Sequence, residues 1–188
     1  LFSAEGSEIY LKPANCYVKT GQKNLATAAY KAAMDADHDK EIKKQAHFHY
    51  AKVSYDVGQY DAAIKAFNSY LAEYPQAKET NEVNELLTDS YFRTNNYDEA
   101  IKHFERIQTK SEKVRRAYQM ITYNEGSRLF NATHYIKAID LFEKSTEFPV
   151  DQPTLLKAHY WKGEAYYLAG QYEDAKNSYS AVFRSDPA

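Results

Sequence analysis

"GQYDAAIKAFNSYLAEYP", residues 58–75, sets a glycine, a tyrosine, an alanine, a phenylalanine and a proline in an order that recurs along the chain. The same register returns in "GQKNLATAAYKAAM" (21–34), "NNYDEAIKHFERIQ" (95–108), "THYIKAIDLFEKST" (133–146) and "GQYEDAKNSYSAVF" (170–183). An alanine stands at one position of all five stretches, at Ala26, Ala63, Ala100, Ala138 and Ala175, with spacings of 37, 37, 38 and 37 residues. Four residues on come Tyr30, Phe67, Phe104, Phe142 and Tyr179; three residues before come Lys23, Tyr60, Tyr97, Tyr135 and Tyr172. A fixed period of this length marks a chain built from stacked copies of one supersecondary unit.

Each unit reads as two helices. Ala63, Phe67, Tyr70 and Leu71 fall at i, i+4, i+7 and i+8, the apolar face of a helix. Asp61, Asp98 and Glu173 lie in first turns, where a carboxylate meets the positive end of the helix dipole. Upstream partner helices are "KKQAHFHYAKVSYDV", "EVNELLTDSYFRT", "AYQMITYNEGSRLF" and "LLKAHYWKGEAYYLA". Seven residues before the turn these carry Ala51, Thr88, Gly126 and Gly163, small or short residues that let two antiparallel helices approach. Gly58, Asn95 and Gly170 are residue types that tolerate the left-handed turn closing a helix. Pro75, Pro149 and Pro187 stop or follow the second helix.

This pattern resembles the tetratricopeptide repeat (TPR): a small residue in the first helix, Gly-x-Tyr at the turn, then alanine, an aromatic and a closing proline. "HYWKGEAYYLAGQYEDAKNSYSAVFRSDP" and the opening stretch carry the resemblance best, and it runs from about residue 8 to residue 187. It implies an all-α fold, a right-handed superhelical solenoid of five hairpins (about 8–40, 45–77, 82–114, 119–152 and 155–188). First helices would line the concave surface and second helices the convex one, with no clear domain boundary. The period exceeds the usual 34 residues, which predicts extended helix ends or loops such as "EYPQAKETNE". Pro13 predicts a short or kinked opening helix. The long spacing with "YP" after the second helix is similar to bacterial cell-envelope members, which implies an envelope or periplasmic address.

The resemblance also implies where a ligand sits. Two columns of first-helix positions face the groove in the family; here they read Val18, Tyr55, Phe92, Phe130, Tyr167 and Leu11, Phe48, Glu85, Tyr123, Tyr160. Asn15, Lys52, Asp89, Arg93, Asn124, Asn131 and Glu164 are the polar neighbours expected beside them. Such a surface suits an extended peptide or an amphipathic helix. Its mixed signs speak against a strongly charged ligand. The alternative is that the first column packs between repeats. A family clamp for a chain-terminal carboxylate is disfavoured, because Asn15 is followed by Lys52, Asp89, Ser127 and Glu164, with acids where donors are needed.

Composition sets the outer limits. The 188 residues carry a formal charge of -2 and 44% apolar residues, too apolar for disorder and not basic enough for nucleic acid. No apolar run approaches the ~20 residues of a membrane span. Leu1 opens the chain without a signal-peptide pattern, as expected of a mature form or an excised segment. Cys16, the single cysteine, excludes an internal disulfide and reads as a buried inert thiol.

His47 and His49, two residues apart in "HFHY", point to different sides of a helix, whereas helical metal pairs need i, i+4 spacing. His47 and His159 share one repeat position, which points to packing. "NATH" (131–134) matches a glycosylation acceptor that a bacterial reading leaves idle, and "KVRRAY" (113–118) reads as a solvated face. No catalytic residues, metal ligands or cofactor emerge.

The expected function is a non-catalytic protein–protein interaction scaffold taking a protein or peptide partner. A structural assembly element is second, RNA binding third and an enzyme last. The apolar residues Tyr179, Val182 and Phe183 of the last unit are expected to leave an open end that continues, is covered or self-associates.

Overall fold

The computed structural model describes residues 5–35 and 39–185, all of the regular structure being helical. The helices are α1 (Glu5–Lys19), α2 (Lys23–Asp35), α3 (Lys40–Asp56), α4 (Tyr60–Glu73), α5 (Thr80–Arg93), α6 (Tyr97–Arg106), α7 (Glu112–Asn131), α8 (Tyr135–Glu147), α9 (Gln152–Leu168) and α10 (Tyr172–Ser185). They form two compact units, Leu1–Thr94 and Asn95–Ala188, so that α5 belongs to the first and α6 to the second. In the first unit each helix packs on its successor, and α3 also touches α1 and α5. The second unit repeats the arrangement, with α7 against α9. Second helices (α2 and α4, α8 and α10) make no such approach among the described residues, so the first helices form the close-set inner row of each unit.

The two kinds of helix begin differently. Three odd-numbered helices, α3, α7 and α9, start on side-chain caps: Asp39 accepts from the amides of Glu41 and Ile42, Ser111 from Val114 and Asp151 from Thr154, whereas Glu79 before α5 makes no such bond. Even-numbered helices come straight off a left-handed turn, with φ of 76° at Gly21, 77° at Gly58, 55° at Asn95, 62° at Thr133 and 78° at Gly170. At four of these turns the next amide reaches back five residues, as in Gln59 N–H to the Ser54 carbonyl at 2.9 Å, and satisfies a carbonyl the helix end leaves over. Thr133 occupies the turn position of the fourth hairpin, a site where a β-branched residue is strained.

The alanine column is buried throughout, at 2% exposure or less, and Tyr30, Phe67, Phe104 and Phe142 are buried beside it. The small residues opposite are there for the aromatics. A Cβ on Gly126 would stand 3.0 Å from the Phe142 ring, and one on Gly163 2.6 Å from the Tyr179 ring. Phe104 stacks on Tyr118 at 3.7 Å, and the Phe148 ring meets both edge-on. The longer period is taken up in long first helices, 17 residues in α3, 20 in α7 and 17 in α9, and, before the 14-residue α5, in the connection 74–79.

Two expectations are corrected. Pro13 lies inside α1 without shortening it: the helix runs 15 residues to Lys19. Cys16 is exposed, not buried, because the core side of α1 is defined by Leu11 and Ala14 and residue 16 faces away from it. Pro187, expected to follow the last helix, lies outside the described residues.

Candidate functional site

First-helix residues of each unit present the surface where a ligand was expected, and the two units differ. In the first unit the polar groups are spent on one another. The Tyr55 hydroxyl donates to Asp89 Oδ2 at 2.6 Å, and Arg93 Nε donates to the same oxygen at 2.5 Å. Burial first, and then the bond to Asp89, raise the Tyr55 pKa; Asp89 likewise raises that of Arg93. The guanidinium lies 5.4 Å from the Tyr60 ring, which meets Tyr55 edge-on. Lys52 donates to Glu82 at 2.5 Å and lies 5.8 Å from the Phe48 ring. Phe92 is half-buried, as is Glu85, while Val18 is exposed. Phe48 is 8% exposed and packs 5.8 Å from Tyr70, and Leu11 is buried too. The expectation that Phe48 and Leu11 line a groove is therefore corrected: both belong to the core.

In the second unit the same positions are all aromatic, half-buried at Tyr123 and Phe130 on α7 and exposed at Tyr160 and Tyr167 on α9. Tyr123 and Phe130 stand seven residues apart on α7, and Tyr160 and Tyr167 seven apart on the adjacent α9, so each pair shares a helix face. Tyr160 is 45% exposed and Tyr167 56%. Trp161 bridges the two helices, 5.2 Å from Phe130 and 5.3 Å from Tyr160, and Phe130 meets Tyr135 edge-on at 5.5 Å. Tyr172, at the start of α10, extends the patch 5.4 Å beyond Tyr167. Asn124 is half-buried and Asn131 exposed. Tyr123 sits 5.9 Å from the Phe142 ring.

Glu164, expected in the groove, accepts the Tyr179 hydroxyl at 2.7 Å; burial and then this bond raise the Tyr179 pKa. Asn15 accepts the Tyr30 hydroxyl at 2.6 Å from the equivalent position. Both tyrosines at this position of the second helices thus meet an acceptor on the first, whereas Lys52, Asp89 and Ser127 accompany Phe67, Phe104 and Phe142, with Asp89 taken up by Tyr55 and Arg93. Trp161 was not among the expected site residues. Its signal was available: it is the only tryptophan of the chain and directly follows a groove-column tyrosine.

The histidines pack as their shared repeat position suggested. His47 meets the rings of Tyr70 and Tyr74 edge-on, His49 stacks on Tyr30 at 5.3 Å, and burial lowers the pKa of both and of His159. Among the described residues no group of three potential metal ligands converges, and no helix is long and apolar enough to cross a membrane.

The tetratricopeptide-repeat family matches residues 14–78 and again residues 156–188, together just over half of the chain, and the chain belongs to that family. Its solved structural neighbours share the architecture at low identity. They include MamA (19% identity, 96% of this chain and 92% of that one, TM-score 0.53) and a MamA fragment, 41-end, from Desulfovibrio magneticus RS-1 (17%, 99% of each, 0.50). YrrB, described as a TPR protein with an unusual peptide-binding site, aligns over 95% of this chain and 85% of its own at 19% identity, with a TM-score of 0.54. Comparison with curated proteins gives no match. Members of the family are, in general, non-catalytic scaffolds that bind proteins or peptides.

Proposed function

We propose that the chain is a non-catalytic adaptor of five hairpins in one array, and that the inner face of α7 and α9 holds its protein partner. The observation that carries this reading is the set of large rings left in water at Tyr160, Trp161, Tyr167 and Tyr172 on one unit. Aromatic side chains of this kind supply much of the contact energy of interfaces at low entropic cost, and their hydroxyls tolerate a wet surface in the unbound state. The corresponding face of the first unit is occupied by its own ion pairs, which supports a helper role there.

The test is site-specific crosslinking in source cells. A benzoylphenylalanine placed at residue 160 or 167 is expected to capture a discrete protein partner. The same probe at Lys176, exposed on α10, serves as the outer-face control and is expected to capture none. Equal capture from both faces, or from neither, would refute the assignment.

A further inference from the structure

We infer that the aromatic face of α7 and α9 is built for a proline-rich segment in the polyproline II conformation; this deepens the proposed binding role and rests on it. Two repeats match. Tyr160 and Tyr167 share one face of α9 and are separated by about 10.5 Å along its axis. A polyproline II helix turns once every three residues, about 9.3 Å, so a segment lying along α9 sets successive turns over successive rings. Tyr123 and Phe130 provide the same interval on α7, with Trp161 between the two rows, 5.2 Å from Phe130 and 5.3 Å from Tyr160. Exposed flat rings set side by side in this way take up pyrrolidine rings on their outer faces through packing and need no induced order in the ligand.

Charge and hydrogen bonding select the same occupant. Two ionic groups on the same helix are already engaged: Glu164 accepts from the Tyr179 hydroxyl, and Lys162 stands 3.9 Å from Glu143. An uncharged ligand matches such a face, since a charged one loses hydration without gaining a partner. The Tyr160 and Tyr167 hydroxyls and the Trp161 indole N–H make no hydrogen bond among the described residues and are donors. A polyproline II segment has no internal hydrogen bonds and offers its backbone carbonyls as acceptors. An amphipathic helix, with most of its carbonyls already bonded internally, offers those donors fewer backbone acceptors.

Trp161, alone in the chain, is a built-in reporter. A capped nine-residue polyproline peptide spans about 28 Å, comparable to the roughly 25 Å of α9. Titrated into the whole chain, it is expected to change the Trp161 emission saturably. A capped Gly-Ser peptide of equal length and a capped amphipathic helical peptide are expected to bind at least about tenfold more weakly. Tyr167→Ala and Tyr172→Ala, both at exposed rings, are expected to weaken the polyproline complex about tenfold each, with far-UV circular dichroism unchanged. Tyr167→Phe, which keeps the ring, is expected to stay within about threefold.

Absence of a saturable change with polyproline overturns the inference. So does wild-type affinity in both alanine variants, whether measured by emission or by calorimetry. Tighter binding of the helical peptide on the same rings also overturns it, while leaving the adaptor reading in place. That reading fails only if crosslinking at residues 160 and 167 matches the outer-face control.

Discussion

Thr133 stands in the left-handed region, a conformation that costs a β-branched residue of order 1–3 kcal/mol, at the position where three other hairpins have glycine. Thr133→Gly releases that strain and adds back some unfolded-chain freedom, so the net gain is smaller, about 0.5–1 kcal/mol. Urea unfolding is expected to show a raised midpoint with an unchanged slope; a lowered midpoint would mean that the threonine is held there by contacts. The same scale explains why residues in one repeat column differ in exposure. Phe48 and Tyr160 occupy equivalent positions, yet one is buried and the other 45% exposed. Seven residues beyond the repeat alanine, the second helix of their hairpins carries Tyr70 in one case and Val182 in the other. The tyrosine ring reaches over Phe48; the valine is too short to cover Tyr160.

Between elements, Gln119 determines how α9 joins α7. Its side chain is fully buried, donates to the Asp151 carbonyl at 3.0 Å and accepts from the amides of Val150 (3.1 Å) and Asp151 (2.7 Å). Its own carbonyl accepts the Ser145 hydroxyl at 2.8 Å. Asp151, so placed, caps α9 through Thr154 and lies 3.4 Å from Arg116. Gln119→Leu keeps the volume and strands two amides and a carbonyl, which is expected to destabilise the chain by roughly 2–4 kcal/mol. Asp151→Ala, which removes the cap and the exposed Arg116 pair but leaves the backbone clasp, is expected to cost about 1 kcal/mol. Equal losses in the two variants would show that the clasp adds nothing beyond the cap.

The helices themselves were legible in the sequence because alanine, aromatic and turn residues recur in fixed register, and each maps onto a buried contact or a left-handed φ. The Gln119 clasp was not, since nothing in the periodicity marks a polar residue that bonds to a loop thirty residues away. The site was partly legible. Tyr160 and Tyr167 were readable as columns, but Trp161 lies one position outside them. Phe48 could be excluded only once the reach of Tyr70 was known. Cys16 was misjudged because cysteine is so often buried, while its helix angle relative to Leu11 and Ala14 points outward.

At the scale of the molecule, three packed histidines link stability to pH. Burial lowers the pKa of His47, His49 and His159, with Glu73 opposing and Lys43 reinforcing the shift at His47. The unfolded chain therefore takes up protons first as pH falls. Their contribution is whole above the unfolded value of about 6.5 and is lost as pH drops through that value toward the lowered folded ones. Thermal midpoints are expected to fall between pH 7.5 and 5.5, above the range in which most carboxylates titrate. His47→Leu is expected to flatten part of that slope. A slope unaltered in the variant would assign the effect to other groups.

The hydroxyl links Tyr30–Asn15 and Tyr179–Glu164 each join the two arms of one hairpin across 15 residues of sequence. Recombination that moves an entire hairpin carries both ends of such a link together. A crossover inside the turn would instead deliver a tyrosine to Lys52 or Ser127, neither of which offers a carboxylate or amide oxygen. The permissible joints for lengthening or shuffling this chain are thus the stretches before Asp39 and Asp151, and a library cut there should yield soluble members that one cut at Gly58 or Gly170 does not.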